Sequence, residues 1–343
     1  MKTRMITLGS TGITTPQNGF GALPIQRDDL ETAAAILRRA YEGGMTFFDT
    51  ARAYSDSEEK MGYALSDVRK NIFIATKTTA QNTEDMKAHI DISLNNLKTD
   101  YIDVYQFHCV SRVMKPGDGS GMYELMEDFK RQGIIKHIGI TSHKIGVAEE
   151  AVESGLYETL QFPFSYLSGE REIKLVESCA EHNMGFIAMK GLAGGLITDS
   201  RLAFAFMSRF DNAVPIWGVQ RMNELEEWLS YMDDAPEYDS EIEAAINADK
   251  KELDGEFCRG CGYCMPCPQG ITINNCARMS LMIRRARMED WLNDHWKAEM
   301  EKTKNCVECG LCKSKCPYEL NTPELLKKNY EDYMKVINGE IKL

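Results

Sequence analysis

The 343-residue chain has no run of about 18 apolar residues, which excludes a transmembrane helix. Its opening from Met1 to Thr15 is polar and rich in Gly and Thr, without the apolar core of a secretory signal. The expectation is a soluble protein of the cytoplasm, where thiols stay reduced. Cations are outnumbered, 40 against 52 acidic residues: the net charge is −12, and no basic stripe stands out, which argues against nucleic acid as a partner. No Gly-x-Gly-x-x-Gly loop follows the first predicted strand, so an open dinucleotide-binding sheet is disfavoured. Low-complexity tracts are also missing.

What is present is unevenly spread. From residue 251 onward the chain carries 15 basic and 14 acidic residues, leaving 25 and 38 in the first 250. The acidity therefore belongs to the larger part of the chain, where it serves solubility. Nine of the eleven cysteines fall between Cys258 and Cys316, with only Cys109 and Cys179 outside. Dense clustering of thiols in a reducing compartment points to metal rather than disulfides. The length suits one barrel of roughly 250 residues plus a small second domain.

Short apolar, β-rich segments alternate with helical patterns. Strands are predicted at 19–23, 46–49, 72–76, 102–107, 137–141, 159–162, 185–189 and 213–217, after a hairpin around Gly9 and Gly12. Amphipathic stretches lie at 29–42, 85–97, 122–132, 145–154, 170–182 and 223–231. Strand then helix, repeated about eight times, reads as parallel βα units closing into a (β/α)8 TIM barrel. Residues 233–240 are polar, contain Pro236 and form a predicted linker. The expected organisation is a barrel over 1–240 and a cysteine domain over 241–343. In the latter, helical patterns cover 241–253, 279–302 and 323–337.

In a barrel of this type, chemistry sits where strands end and βα loops begin. Asp49 ends the second strand in FFDTARAY, Tyr54 follows five residues on, Lys77 ends the third strand and His108 the fourth. Singly, each has an ordinary structural reading: a loop cap, half-buried packing, a hydrogen-bonded structural histidine. Jointly they converge on one mouth, and their chemistry fits together. A carbonyl accepting hydride needs a proton donor for the developing alkoxide. Tyrosine, with a pKa near ~10, becomes a better donor beside an ammonium. Lys77 would supply that charge, Asp49 would hold Lys77, and His108 would orient the carbonyl oxygen.

The order Asp, Tyr, Lys, His, within FFDTA-x-x-Y, ATK and the strand ending in His, resembles the catalytic tetrad of the aldo-keto reductase family. GSTGITTPQNGFG (residues 9–21) and IKHIGITS resemble the same family, and the likeness spans roughly residues 3–235. It implies NADP(H) or NAD(H) bound in extended form without a Rossmann fold. Mapped by motif, Ser142 and Gln161 would hold the nicotinamide carboxamide. The segment MKGLAGG, with Lys190, Gly191 and Gly194, would pass near the pyrophosphate. Gly218, Gln220 and Arg221 would lie near the adenosine ribose. Three departures stand out. His143 follows Ser142 where the family often has Asn. Lys190 stands where many members stack an aromatic ring on the nicotinamide. The stretch after the last strand is thin in cations, with Arg221 the candidate for a 2′-phosphate.

The run Cys306-x2-Cys309-x2-Cys312-x3-Cys316-Pro317 matches the bacterial ferredoxin spacing. The run Cys258-x2-Cys261-x2-Cys264-x2-Cys267-Pro268 is one residue shorter before its last cysteine. Soft thiolates suit iron–sulfur clusters; zinc, usually held by paired Cys-x2-Cys knuckles over a longer gap, is the alternative. In two-cluster ferredoxins the fourth cysteine of each run ligates the other cluster. On that logic Cys258, Cys261, Cys264 and Cys316 hold one [4Fe-4S] cluster, and Cys306, Cys309, Cys312 and Cys267 the second. Cys276 is left as a helix residue. The helical spacer suggests an α-helical ferredoxin-like domain. The whole arrangement is similar to the ferredoxin-fused aldo-keto reductases of anaerobic bacteria and archaea.

The resemblance implies an oxidoreductase that reduces an aldehyde or ketone, or oxidises an alcohol, with NAD(P)H and Tyr54 as proton donor. A redox partner protein would explain the clusters. Two other readings stay open: an electron-transfer or sensor protein on a reductase-like barrel, and a cysteine domain serving only for docking. Substrate selection is expected from the loop over 109–121 and from residues near Phe164 and Tyr166.

Overall fold

The computed structural model describes residues 2–253, 257–285 and 288–342. It divides into two compact units, Met1–Gly191 with Ser200–Ile242, and Leu192–Asp199 with Glu243–Leu343.

The first unit opens with a hairpin, β1 (Met5–Thr7) against β2 (Thr14–Pro16). Eight parallel strands follow: β3 (Gly19–Gly21), β4 (Phe47–Asp49), β5 (Phe73–Thr78), β6 (Ile102–Phe107), β7 (Ile135–Thr141), β8 (Thr159–Pro163), β9 (Gly185–Met189) and β10 (Ala213–Gly218). They close in sequence order, β10 pairing with β3 through Trp217 opposite Phe20. Their near-continuous apolar runs reflect burial on both faces, as a parallel sheet covered by helices requires. The hairpin plugs the N-terminal end of the barrel. Ile6 and Leu8 pack with Phe47, Val104, Ile187 and Val214, and Gly9 bridges to Met184. The opposite end, where the strands terminate, is thereby left for the loops.

Helices α1 (Leu30–Glu42), α2 (Ser57–Leu65), α3 (Thr83–Leu97), α4 (Met122–Arg131), α5 (Ile145–Ser154), α6 (Glu170–Glu181), α7 (Ser200–Met207) and α8 (Met222–Asp233) alternate with these strands. Two of them carry no amphipathic signature in the sequence. α2 buries Glu58 and Lys60 along with Met61 and Leu65, so its inward face does not read as apolar. α7 is buried at six consecutive positions, Leu202 to Met207, so it has no polar face to set a period.

α9 (Ser240–Glu252) leads into the second unit. There α10 (Ile273–Cys276), α11 (Met279–Arg285), α12 (Asp294–Glu301), α13 (Leu311–Lys315) and α14 (Thr322–Ile337) surround one apolar core. The expected helical stretch over 279–302 is interrupted: residues 286–287 lie outside the described residues, and α12 starts only at Asp294, behind its Asn293 cap. α14 organises the unit. Leu326 and Tyr333 are buried, while the Asn329 side chain accepts from the Ser280 N–H (2.8 Å) and donates to the Ala277 carbonyl (3.1 Å). Trp291 and Trp296 pack against this unit's own core. No helix among the described residues is long and apolar enough to cross a membrane.

Candidate active site and cysteine sites

β4 and β5 deliver Asp49 and Lys77 side by side, with Asp49 opposite Ala75 in the register. Lys77 lies within β5 rather than at its end, because the strand runs on to Thr78. Its ammonium donates to both Asp49 carboxylate oxygens at 2.7 and 2.8 Å and to the Thr50 carbonyl at 2.5 Å. Both side chains are almost fully buried, so each neutralises a charge the other could not hold alone. Burial raises the Asp49 carboxyl, and Lys77 pulls it back down. A second layer steadies the pair: Gln161 donates to Asp49 (3.4 Å) and accepts from Gln106 (2.9 Å).

Tyr54 stands on the loop between β4 and α2, and its neighbours fix that loop. The Arg52 N–H donates to the Lys77 carbonyl (3.1 Å), and the Ser57 hydroxyl donates to the Ala22 carbonyl (2.9 Å). Glu58, buried at the head of α2, accepts from Thr76 and Ser93, both at 2.7 Å, and pairs with Arg52. The Tyr54 ring meets His108 edge-on at 5.8 Å, and the Lys77 ammonium lies 5.3 Å from its centre. All four expected residues therefore converge at the C-terminal ends of the strands.

The electrostatics differ from the sequence expectation on one point. Burial pushes the Tyr54 phenol above its ordinary value, and the Asp49 carboxylate and Cys109 add to the rise. Lys77, 5.3 Å from the ring centre, does not offset that rise. Burial, with Lys77 nearby, holds the His108 imidazole down to about 3, so His108 is neutral. Its buried Nδ1 has no hydrogen-bond partner among the described residues, an arrangement suited to receiving a bound group.

The expected cofactor contacts are partly engaged by the protein itself. The Ser142 hydroxyl donates to the Val110 carbonyl (3.0 Å) and accepts from the Lys144 N–H (3.1 Å). The Gln161 amide serves Asp49 and Gln106. Lys190 follows β9 in the left-handed region, φ +58°. Gly191 is required sterically, since a Cβ there would meet the Trp217 ring at 2.5 Å. Gly194 belongs to the second unit, where its carbonyl accepts from Arg278 (3.0 Å). Gly218 ends β10 beside Pro24. At the start of α8, the Glu224 carboxylate accepts from the N–H groups of Gln220 (2.9 Å) and Arg221 (3.0 Å). That carboxylate closes the capping box of α8 and lies 4.0 Å from the Arg221 guanidinium, the candidate for a 2′-phosphate.

Sequence reasoning passed over Gln106 in this mouth and named Cys109 only as the start of the loop over 109–121. Gln106, on β6, joins the Asp49 network, yet a glutamine in an apolar strand carries no motif. Cys109, in the left-handed conformation directly after His108, places its sulfur 3.8 Å from His143 Nδ1. Burial, Lys190 and His108 together hold His143 down to about 3. A separate cavity, lined by Tyr123, Glu158, His182 and Met184, opens where strands begin and contains none of the four polar residues.

In the second unit the two cysteine runs cross. Cys267, from the first run, lines one cavity with Cys264, Cys306, Cys309 and Cys312, walled by Ile271 and Leu326. Cys316, from the second run, comes close enough to Cys258 for the two to interact electrostatically, as Cys261 does. Burial pushes the Cys264 thiol up to about 12, with Cys258 and Cys261 beside it. Among the described residues no disulfide joins any of the eleven cysteines. Among the described residues no three metal-binding side chains close on a single ion. Cys276 stands apart, fully buried in α10 with its thiol directed at the Glu299 carbonyl.

Residues 17–229 match the aldo/keto reductase family. The chain belongs to that family. Residues 257–321 match a 4Fe-4S dicluster domain, so this aldo/keto reductase carries a C-terminal iron–sulfur domain. Among its curated relatives are an uncharacterised oxidoreductase of Bacillus subtilis, YqkF, 29% identical over 221 residues (60% of this chain, 70% of the relative), and the D-galacturonate reductase of Fragaria ananassa, 32% identical over 175 residues (43% and 54%). The chain thus spans between about half and 70% of these relatives. Solved structures with the same fold include an aldo-keto reductase of Bacillus halodurans in its holo form (TM-score 0.63, 21% identity, 72% of this chain and 96% of that one). Another, from Klebsiella pneumoniae in complex with NADPH, gives a TM-score of 0.62 at 20% identity, over 72% and 95%.

Proposed function

We propose that the barrel catalyses nicotinamide-dependent reduction of an aldehyde or ketone, or the reverse oxidation of an alcohol, and that the second unit holds two [4Fe-4S] clusters. The observation that carries the first part is the buried Asp49–Lys77 pair beneath a Tyr54 phenol that faces His108. Bound reduced nicotinamide would supply the hydride that reaches the carbonyl carbon. The chain's own residues handle the oxygen. His108, neutral, hydrogen-bonds it, and Tyr54 delivers the proton, so that one hydride and one proton convert the carbonyl to an alcohol. Because burial holds the Tyr54 phenol protonated, it is always loaded as a donor. It releases its proton only to the alkoxide that develops as the carbonyl is reduced. Lys77 and Asp49 then act together as a fixed dipole under the phenolate, with Gln161 and Gln106 keeping the carboxylate from turning.

Ser142, Gln161, Lys190, Gly191, Gly218, Gln220 and Arg221 are the residues of the first unit we assign to the cofactor. Glu224 favours a cofactor with a free ribose hydroxyl over one with a 2′-phosphate. For the clusters, the supporting observation is the crossing of the two runs: Cys267 with Cys306, Cys309 and Cys312, and Cys316 with Cys258. Eight soft thiols in two groups fit two cubane clusters. The clusters would take or give single electrons with a redox partner protein.

A second reading, an electron carrier on a reductase-like barrel, draws support from the engagement of Ser142 and Gln161 within the protein. The test is Tyr54→Phe. The carbonyl reductase reading expects reduction to fall by about 10²–10⁴-fold with nicotinamide binding retained; an unchanged rate overturns it.

A further inference from the structure

Arg278 stands in the turn between α10 and α11 and is only 7% exposed. A guanidinium cannot shed its charge, and burying it costs several kcal/mol unless a counter-charge is near. Among the described residues no carboxylate pairs with it. Its one hydrogen bond there runs from Nη1 to the Gly194 carbonyl (3.0 Å), and its Nε has no acceptor. What it faces is the first cysteine run, at Gly260 between Cys258 and Cys261.

Two glycines make the space. A Cβ at Gly260, between those two cysteines, would lie 2.6 Å from the guanidinium carbon, and one at Gly194 would lie 2.7 Å from Nη1. Both glycines have positive φ, +65° and +70°, a conformation that glycine adopts without strain. The loop Leu192–Asp199 is fixed from a second side by Arg285, which donates to the Leu196 carbonyl (2.6 Å) and pairs with Asp249. The guanidinium is thus clamped between a braced loop and the first cysteine run.

We infer that Arg278 is the built-in counter-charge of the cluster held by Cys258, Cys261, Cys264 and Cys316, and that it raises that cluster's reduction potential. The inference rests on the cluster reading above. Four thiolates around a cubane core of charge +2 give a net −2, and one added electron makes it −3 with no bond formed or broken. A fixed buried cation stabilises the more negative state more strongly, because Coulomb energy grows with charge in a medium of low dielectric. Arg278 is therefore a positioning and tuning residue rather than a ligand.

The test is an anaerobic redox titration of the holoprotein, followed by electron paramagnetic resonance, for wild type, Arg278→Gln and Arg278→Lys. In Arg278→Gln one of the two midpoint potentials is expected to fall. At a fixed ambient potential the reduced-to-oxidised ratio of that cluster should drop about tenfold, equivalent to about 59 mV for one electron, while the other cluster is unchanged. Arg278→Lys, which keeps the charge, should recover most of the shift. Unchanged potentials in Arg278→Gln, or equal shifts in both variants, overturn the inference. Loss of the cluster from both variants does so too, since Arg278 would then merely hold the fold. Wild-type protein lacking two reducible clusters overturns the cluster reading itself, and this inference with it.

Discussion

At the scale of single residues, the site is governed by burial more than by proximity. Lys77 and Asp49 are tolerated inside the barrel because they neutralise each other. Asp49→Asn leaves Lys77 charged and unpaired, and should cost about 3–5 kcal/mol, read as a lowered urea midpoint at unchanged slope. The histidines give a pH dependence of definite sign. His108 and His143 are held down to about 3 in the folded protein, against about 6.5 in the unfolded chain. The unfolded chain therefore binds more protons below 6.5, and stability falls as pH drops from about 6.5 toward 3. Urea midpoints between pH 7 and pH 4 should follow that slope, and His108→Gln should flatten it; a flat wild-type profile would refute the account. Glu224 makes a third case. Glu224→Gln removes the carboxylate from the Gln220 and Arg221 amides, and should raise NADPH affinity relative to NADH in fluorescence titrations.

At the scale of elements, most of the barrel was legible. Strands such as β6 and β9 announce themselves as β-rich apolar runs, since both of their faces are buried. The convergence of Asp49, Tyr54, Lys77 and His108 was legible because each stands within one residue of a strand end or on the following loop. α2 and α7 were not, the one hiding buried charges and the other lacking a polar face. With α2 went Glu58, which positions the Tyr54 loop by accepting from Thr76 and Ser93. Glu58→Ala would strand two buried hydroxyls at roughly 1–3 kcal/mol each. It should lower kcat more than it raises KM, because Tyr54, the proposed proton donor, and not the binding surface, loses its support. The direction of the Tyr54 shift was also illegible, since burial depends on how loops close and not on motif spacing.

At the scale of the whole molecule, the second unit recruits Leu192–Asp199 from between β9 and α7. No sequence signal marks that recruitment, because the glycines of this segment suit a phosphate-binding loop equally well. The cysteine runs, by contrast, carry their crossing in their spacing. Cys267→Ala should remove the cluster bounded by Cys306, Cys309 and Cys312 and halve the iron per chain; loss of all the iron, or of none, would contradict the assignment. On the proposed function two redox chemistries would coexist in one chain, paired electrons in the barrel and single electrons in the cysteine unit, with no flavin motif in the sequence to convert one into the other.

The most direct test is an anaerobic titration of the holoprotein with NADH and NADPH, before and after adding aldehydes, following nicotinamide and cluster absorbance together. The account predicts nicotinamide binding without cluster bleaching, then oxidation of one nicotinamide for each carbonyl reduced. Bleaching of the clusters by nicotinamide alone, with no carbonyl turned over, would contradict it and make the barrel an entry point for electrons bound for the clusters.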